Sequence, residues 1–227
     1  MSGHAPLLRG LVALVTVAAV AALVVALTWR AAAPRIAENQ RLLEQQQLAE
    51  VLPGVDFDNR LTESRLPLEG TAARTAGVDI AWIARRGTEP LGVILRTVAP
   101  DGYSGRIVLL LGVTPDGELL GVRTLEHRET PGLGDAIDIE RSDWIRQFTG
   151  RSLDEPARAD WTIRRDGGAY DGITGATITS RAVIRAVERA LLYFEREGAT
   201  LMHAPIPTDI DAPSDTSDSV DFSEPRP

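Results

Sequence analysis

Apolar positions run unbroken by charge from Leu11 to Trp29, then thin to a partial helical stripe, then alternate, and fade into a polar tail. The 19 residues 11–29 at ~1.5 Å each make about 28 Å of helix, close to the ~30 Å hydrocarbon core of a bilayer. Arg9 and Arg30 bound the run, and Trp29 suits the headgroup level. The pattern predicts a transmembrane helix over 11–29 preceded by a short N-terminal segment, 1–10. Ala31–Ala33 offers an A-x-A-like cleavage site, the mark of a signal peptide. However, the run exceeds the ~7–15 apolar residues of such peptides, and Pro34 follows the site directly, so an uncleaved anchor is expected. Arg9 lies before the span and Arg30, Arg35 and Arg41 after it, so charge alone leaves the orientation open.

Ile36, Leu42, Leu43, Leu48, Val51 and Leu52 form a partial stripe along 35–52, and Pro53-Gly54 stops it. This reads as a juxtamembrane helical stalk, 30–54. Residues 55–77 are weakly patterned. Two hairpins then follow from β-rich runs separated by turn residues. The first pairs 78–86 with 91–99 across Gly87–Pro90, and the second pairs 105–114 with 118–127 across Pro115-Asp116-Gly117. The continuous apolar stretch Ile107–Leu111 fits a strand buried on both faces. Trp144–Phe148 reads as a short helix and Trp161–Arg165 as a further strand. Ser180–Glu197 is the last strong element: Val183, Val187, Ala190, Leu191 and Phe194 share one helical face, with Gly198 placed to cap the C-terminus. The pattern predicts an α+β domain with an antiparallel sheet over 55–203.

From Ala204 to Pro227 the composition turns to Pro, Ser, Thr and Asp, with five Asp and one Glu against one Arg. Such a stretch cannot bury enough apolar surface to fold, so a disordered acidic tail is expected over 204–227. It carries -5 of the net charge of -8, which leaves little acidity to interpret in the folded part. The overall charge argues against nucleic acid as a partner. The chain has no cysteine, which excludes disulfides, thiolate metal sites and cysteine-ligated iron–sulfur clusters. Redox chemistry here would need an organic cofactor. All 24 cationic residues are arginine, so no lysine can act as a base or form a Schiff base.

Two stretches carry candidate chemistry. Asp171-Gly-Ile-Thr-Gly-Ala-Thr177 sets two threonine hydroxyls beside a glycine at the start of the last helix. Unpaired N–H groups and the positive dipole end suit a phosphate there, and an ordinary helix start capped by Thr177, Thr179 or Ser180 is the plainer interpretation. A threonine hydroxyl needs an activating base to act as a nucleophile, and His4, His127 and His203 all lie far away in sequence. A phosphoryl group on Thr177 would therefore be installed by another enzyme. In Glu129-Thr-Pro-Gly-Leu-Gly134, Pro131 fixes φ and the glycines allow a tight turn or close approach to a flat ligand; a plain connecting turn fits equally. His127 reads as a strand-end polar residue. No metal-ligand cluster and no catalytic triad order is present in the sequence.

Together, GYSGRIVLLLGVTPDGELLGV, HRETPGLG, WIRQFTG, DGITGATITSRAV and the N-terminal span resemble the G subunit of the Rnf electron-transport complex. They also resemble the related C subunit of the sodium-pumping NADH:quinone reductase. The resemblance covers most of residues 1–195, and the chain length favours the Rnf protein. It implies an FMN-binding domain in which Thr177 bears FMN through a phosphoester, transferred from FAD by a separate magnesium-dependent flavin transferase. Thr174, where serine is often found, Gly175 and Ala176 complete that motif, and Glu129, Thr130 and Leu133 would border the ring or ribityl chain. The implied protein is a non-catalytic electron carrier among the other subunits of an ion-translocating complex. It would sit in the bacterial inner membrane by a single pass, with residues 1–10 as a cytoplasmic N-terminus and the flavin domain on the periplasmic side. The alternatives are a component like the C subunit of the quinone reductase and a non-redox, membrane-anchored ligand-binding module.

Overall fold

In the computed structural model residues 4–205 are described, and within the first helix the side chains of residues 4–13, 31, 34 and 37 are not. The chain divides after Glu50. Among the described residues the first unit holds one helix, α1 (His4–Ala49), with Leu14, Val17, Leu23, Val25 and Trp29 exposed. Among the described residues no helix is long and apolar enough to cross a membrane. Part of the expected span, residues 11–13, lies outside the described side chains, as do residues 1–3 and, from residue 206 on, the expected disordered tail.

The unit from Val51 onward is built on a five-stranded antiparallel meander in the order β1 (Arg65–Pro67), β2 (Val78–Arg86), β3 (Glu89–Gly102), β4 (Gly105–Val113) and β5 (Leu119–Glu126). A short helix, α2 (Thr71–Ala76), precedes β2, and a long one, α3 (Thr177–Met202), closes the unit. Period-two alternation sorts the strand residues into two apolar faces. Val93, Leu95, Leu109, Leu111 and Val113 join Val183, Ile184, Val187 and Leu191 of α3 in one core. The opposite face buries Ile80, Trp82, Ile94, Val108 and Leu110. Ile107–Leu111 is therefore buried on both faces, as its continuous apolar run predicts.

A row of glycines lets the chain cross that second face. Gly112 pairs with Gly121, and a Cβ on Gly112 would lie 1.8 Å from the carbonyl oxygen of Val51. Val51 and Leu52 thus run against the sheet, where any larger residue at 112 would hold them off.

Several sequence expectations are corrected. The helical stripe ends at Ala49, not at Pro53, because Val51 and Leu52 are buried in the sheet unit instead. Residues 55–77, weakly patterned in sequence, supply β1, α2 and a 3-10 turn at Leu61–Ser64. Trp161–Arg165 is no strand: only a parallel bridge from Ile163 to Tyr170 forms, between 3-10 turns at Arg158–Asp160 and Arg164–Asp166. Helix α3 runs through Gly198 to Met202. Gly198 is buried, and a Cβ there would meet the Phe194 ring at 2.9 Å, so close packing explains the glycine that looked like a cap. Trp144–Phe148 lies in a 3-10 helix, Asp143–Phe148.

Candidate functional site

Glu129 is the centre of the site at one end of the sheet. Its side chain is buried, with Oε1 accepting the Ser104 N–H at 2.9 Å and Oε2 accepting the Thr179 hydroxyl. Gly102 and Gly134 wall it in: a Cβ on either would stand 2.9 Å from a carboxylate oxygen. The carboxylate thus ties the β3–β4 turn to the first turn of α3. Its own N–H donates to His127 Nδ1 at 3.0 Å, while His127 Nε2 lies 2.9 Å from Asp138 Oδ2. Since Nδ1 accepts, Nε2 carries the proton and donates to Asp138. His127 is a strut fixed at both ring nitrogens, just beyond the end of β5.

The following turn has the chemistry its residues suggest. Pro131 and Gly132, the latter at φ 78°, occupy the middle positions of a turn closed by Leu133 N–H on Thr130 O at 3.1 Å, the pattern of a type II turn. The Thr177 loop repeats it. Thr174 and Gly175, at φ 80°, lie between Ile173 and Ala176, whose N–H donates to Ile173 O at 3.0 Å. The two turns meet, and a Cβ on Gly175 would stand 2.9 Å from Leu133 Cδ2. Its positive φ favours glycine at 175.

Helix α3 starts with no side-chain cap, its N-cap residue being Ala176. None of the three expected caps is used. Ser180 instead accepts the Ile173 N–H at 2.9 Å and donates to Ala176 O at 3.0 Å, bracing the loop from behind. Thr179 donates to Glu129. Thr177 is half-buried and Thr174 exposed, and among the described residues no hydrogen bond is made by either hydroxyl. The first-turn N–H groups keep their donors free, as helix N-termini do. Cations near the loop are matched by carboxylates. Arg181 holds Asp166 at 2.6 and 2.9 Å, and its hydrogen bond keeps the Asp166 carboxyl below its ordinary range. Arg164 Nη1 lies 3.2 Å from Asp171 Oδ1. Tyr103 of the β3–β4 turn, Leu133 of the first glycine turn and Ile178 at the start of α3 are exposed apolar side chains.

Residues 102–192 match the family model for the FMN-binding domain. Over 199 residues the chain is 46% identical to the G subunit of the ion-translocating oxidoreductase complex of Pseudomonas aeruginosa, covering 86% of this chain and 90% of that one. The chain belongs to the G-subunit family of ion-translocating oxidoreductase complexes. The G subunit of the Vibrio cholerae complex is 39% identical over 183 residues, covering 81% of this chain and 88% of that one. The crystal structure of Shewanella oneidensis NqrC is 24% identical, with a TM-score of 0.44, and covers 66% of this chain and 76% of that one.

The residues of this G-type subunit fit an FMN. An uncapped helix start suits the phosphate, two glycine turns meet beside it, and Leu133 and Ile178 are exposed apolar side chains on those elements. Of the sequence candidates, Thr174, Gly175, Ala176 and Thr177 come together with Leu133, while Thr130 is exposed on the adjoining turn. Glu129 is drawn inside, beneath the site. Sequence reasoning assigned no role to Ser104, which lies in the GYSG turn, or to Trp144 and Gln147. Trp144 and Gln147 lie within WIRQFTG, three positions apart and so on one helical side, which was the available signal for that pair.

Proposed function

We propose that this subunit is an electron carrier holding one FMN by a phosphoester on the Thr177 oxygen. The observation that carries the reading is the meeting of the two glycine turns at an uncapped helix start where the Thr177 hydroxyl is open. The nearby cations Arg164 and Arg181 are already paired. A site for free phosphate would use unpaired arginines, whereas a tether needs only N–H donors to accommodate a single residual charge.

No base lies against Thr177 in the described chain, so attachment falls to a separate flavin transferase. The Thr177 oxygen forms a bond to the flavin-side phosphorus of FAD, the anhydride bond breaks, AMP leaves, and the hydroxyl proton passes to the transferase. No oxidation state changes. Bound FMN supplies reversible uptake of two electrons and their release one at a time. The chain's residues bind and orient: the unpaired N–H groups of Gly175 and of Thr177 to Thr179 would face the phosphate, and Thr174 and Ala176 shape the turn, the Ala176 N–H closing it on Ile173 O. Leu133, Ile178 and Tyr103 would shield the flat ring from water, with Thr130 beside it, while Glu129 braces the turns from within.

The exposed apolar side chains of 14–29 support an anchor in the inner membrane by one pass. The flavin unit would then lie on the periplasmic side, among the other subunits of the complex.

Thr177→Val tests the tether. Flavin fluorescence on a denaturing gel, present in the wild type, should disappear in the variant. The intact mass of the wild type should exceed the chain mass by one FMN less water. Fluorescence retained by the variant rejects Thr177 as the attachment point. A colour that washes out on denaturing the wild type would favour a non-covalent ligand-binding module.

A further inference from the structure

The segment Trp144–Gln147 has no part in the flavin reading, yet it grips the residue at which the Thr177 loop begins. The indole N–H of Trp144 donates to Asp171 O at 2.7 Å. The Asp171 N–H donates to Gln147 Oε1 at 2.7 Å, and Gln147 Nε2 reaches Asp171 O at 3.5 Å. One side-chain amide thereby pairs with both the N–H and the C=O of a single residue, as a neighbouring strand would.

This grip is rooted in the core. Trp144 packs edge-on against Phe148, with ring centroids 5.7 Å apart. Tyr170, the residue just before Asp171, lies 5.0 Å from Phe148 and 4.9 Å from Trp161, and all three rings are buried. At its other end the loop is braced by Ser180. Between these fixed ends stand Gly172, Thr174 and Gly175, all exposed. A stretch with two glycines has many conformations to lose; pinning both ends removes most of them.

We propose that Trp144 and Gln147 are positioning residues that hold the Asp171–Thr177 loop in the form in which an enzyme can modify Thr177. The proposal rests on the reading above that Thr177 receives the flavin phosphate. Without the grip the loop populates its competent form only part of the time, and the apparent affinity for the modifying enzyme falls by that fraction.

The test uses the full chain in detergent with purified flavin transferase, FAD and magnesium ions. The initial rate of covalent flavin fluorescence is followed as a function of chain concentration. Gln147→Ala should raise the apparent KM for the chain about tenfold with kcat unchanged within about twofold, the signature of a reduced competent fraction. Trp144→Phe keeps an aromatic ring against Phe148 while losing the N–H together with the five-membered half of the indole, so it carries the test even if the alanine variant folds poorly. It should raise KM about fivefold by the same arithmetic, with an unchanged melting temperature. Wild-type KM in Trp144→Phe, or a fall in kcat alone, overturns the proposal. If the wild-type chain itself takes up no covalent flavin, the tether reading fails and the proposal falls with it. If wild type and variants label alike, only the proposal fails.

Discussion

Glu129→Ala takes away the acceptor of two donors at once, and the structure says how much each is worth. Thr179 is fully buried, so its hydroxyl loses a charged acceptor with no water to replace it, at a cost of about 2–3 kcal/mol. Ser104 is exposed, so its N–H can turn to solvent and its share is nearer ~0.5–1 kcal/mol. The sum is about 3 kcal/mol, which at ~2–4 °C per kcal/mol for a unit of this size lowers the melting temperature by roughly 6–12 °C. Glu129→Gln is the informative companion. Its amide oxygen can keep the Ser104 N–H, and its NH2 can donate to Thr179 Oγ1, since a hydroxyl both gives and accepts. Only the charge assistance is lost, about 1 kcal/mol, or roughly 2–4 °C. The assay is thermal unfolding of the full chain in detergent, followed by tryptophan fluorescence, with Thr179→Val completing a double-mutant cycle. An alanine variant melting within about 2 °C of wild type, or strict additivity of Glu129→Ala with Thr179→Val, would refute the clasp.

Three further outcomes follow from particular contacts. Gly112→Ala places a methyl group 1.8 Å from Val51 O; the crossing segment must lift, at about 3 kcal/mol or more, seen as a lowered melting temperature and faster proteolysis near residues 51–54. Tyr170→Phe removes a buried hydroxyl that has no hydrogen-bond partner and whose ionisation burial pushes well above the ordinary phenol range. It should be neutral or stabilising by about 1 kcal/mol, and a melting temperature several degrees lower would show a partner that the structure lacks. Burial raises the Glu188 carboxyl, against the opposing pull of Arg189 and Arg158. The folded state therefore holds that proton more tightly than the unfolded chain does, and stability falls as pH rises from about 4.3, the unfolded value, through the folded one. Glu188→Gln should raise the melting temperature at pH 7 and leave it unchanged below about pH 4, and a pH-independent difference would contradict this.

Periodicity made the meander and the α3 face legible, because strands and helices that bury one side must repeat at two and at 3.6 residues. Local turn chemistry was equally readable: Pro131-Gly132 and Thr174-Gly175 need no distant partner to turn as they do. By contrast, Gly198 and Gly112 looked like punctuation or nothing at all, yet each is set by an atom far away in sequence or across the helix surface. The strand expected at Trp161–Arg165 failed because its apolar residues feed an aromatic cluster with Phe148 and Tyr170 rather than a sheet edge.

For the site the division is the same. The sequence alone pointed to a helix start at Thr177 that suits a phosphate and to a glycine turn at Glu129–Gly134, since both are local patterns, while the flavin came only from the resemblance. Only the tertiary structure decided that Leu133 meets Gly175, that Glu129 faces inward to Thr179, and that Gln147 reads the backbone of Asp171. Those contacts join positions dozens of residues apart, and hydrogen bonds between them depend on where the sheet and α3 bring the chain, which no local pattern encodes.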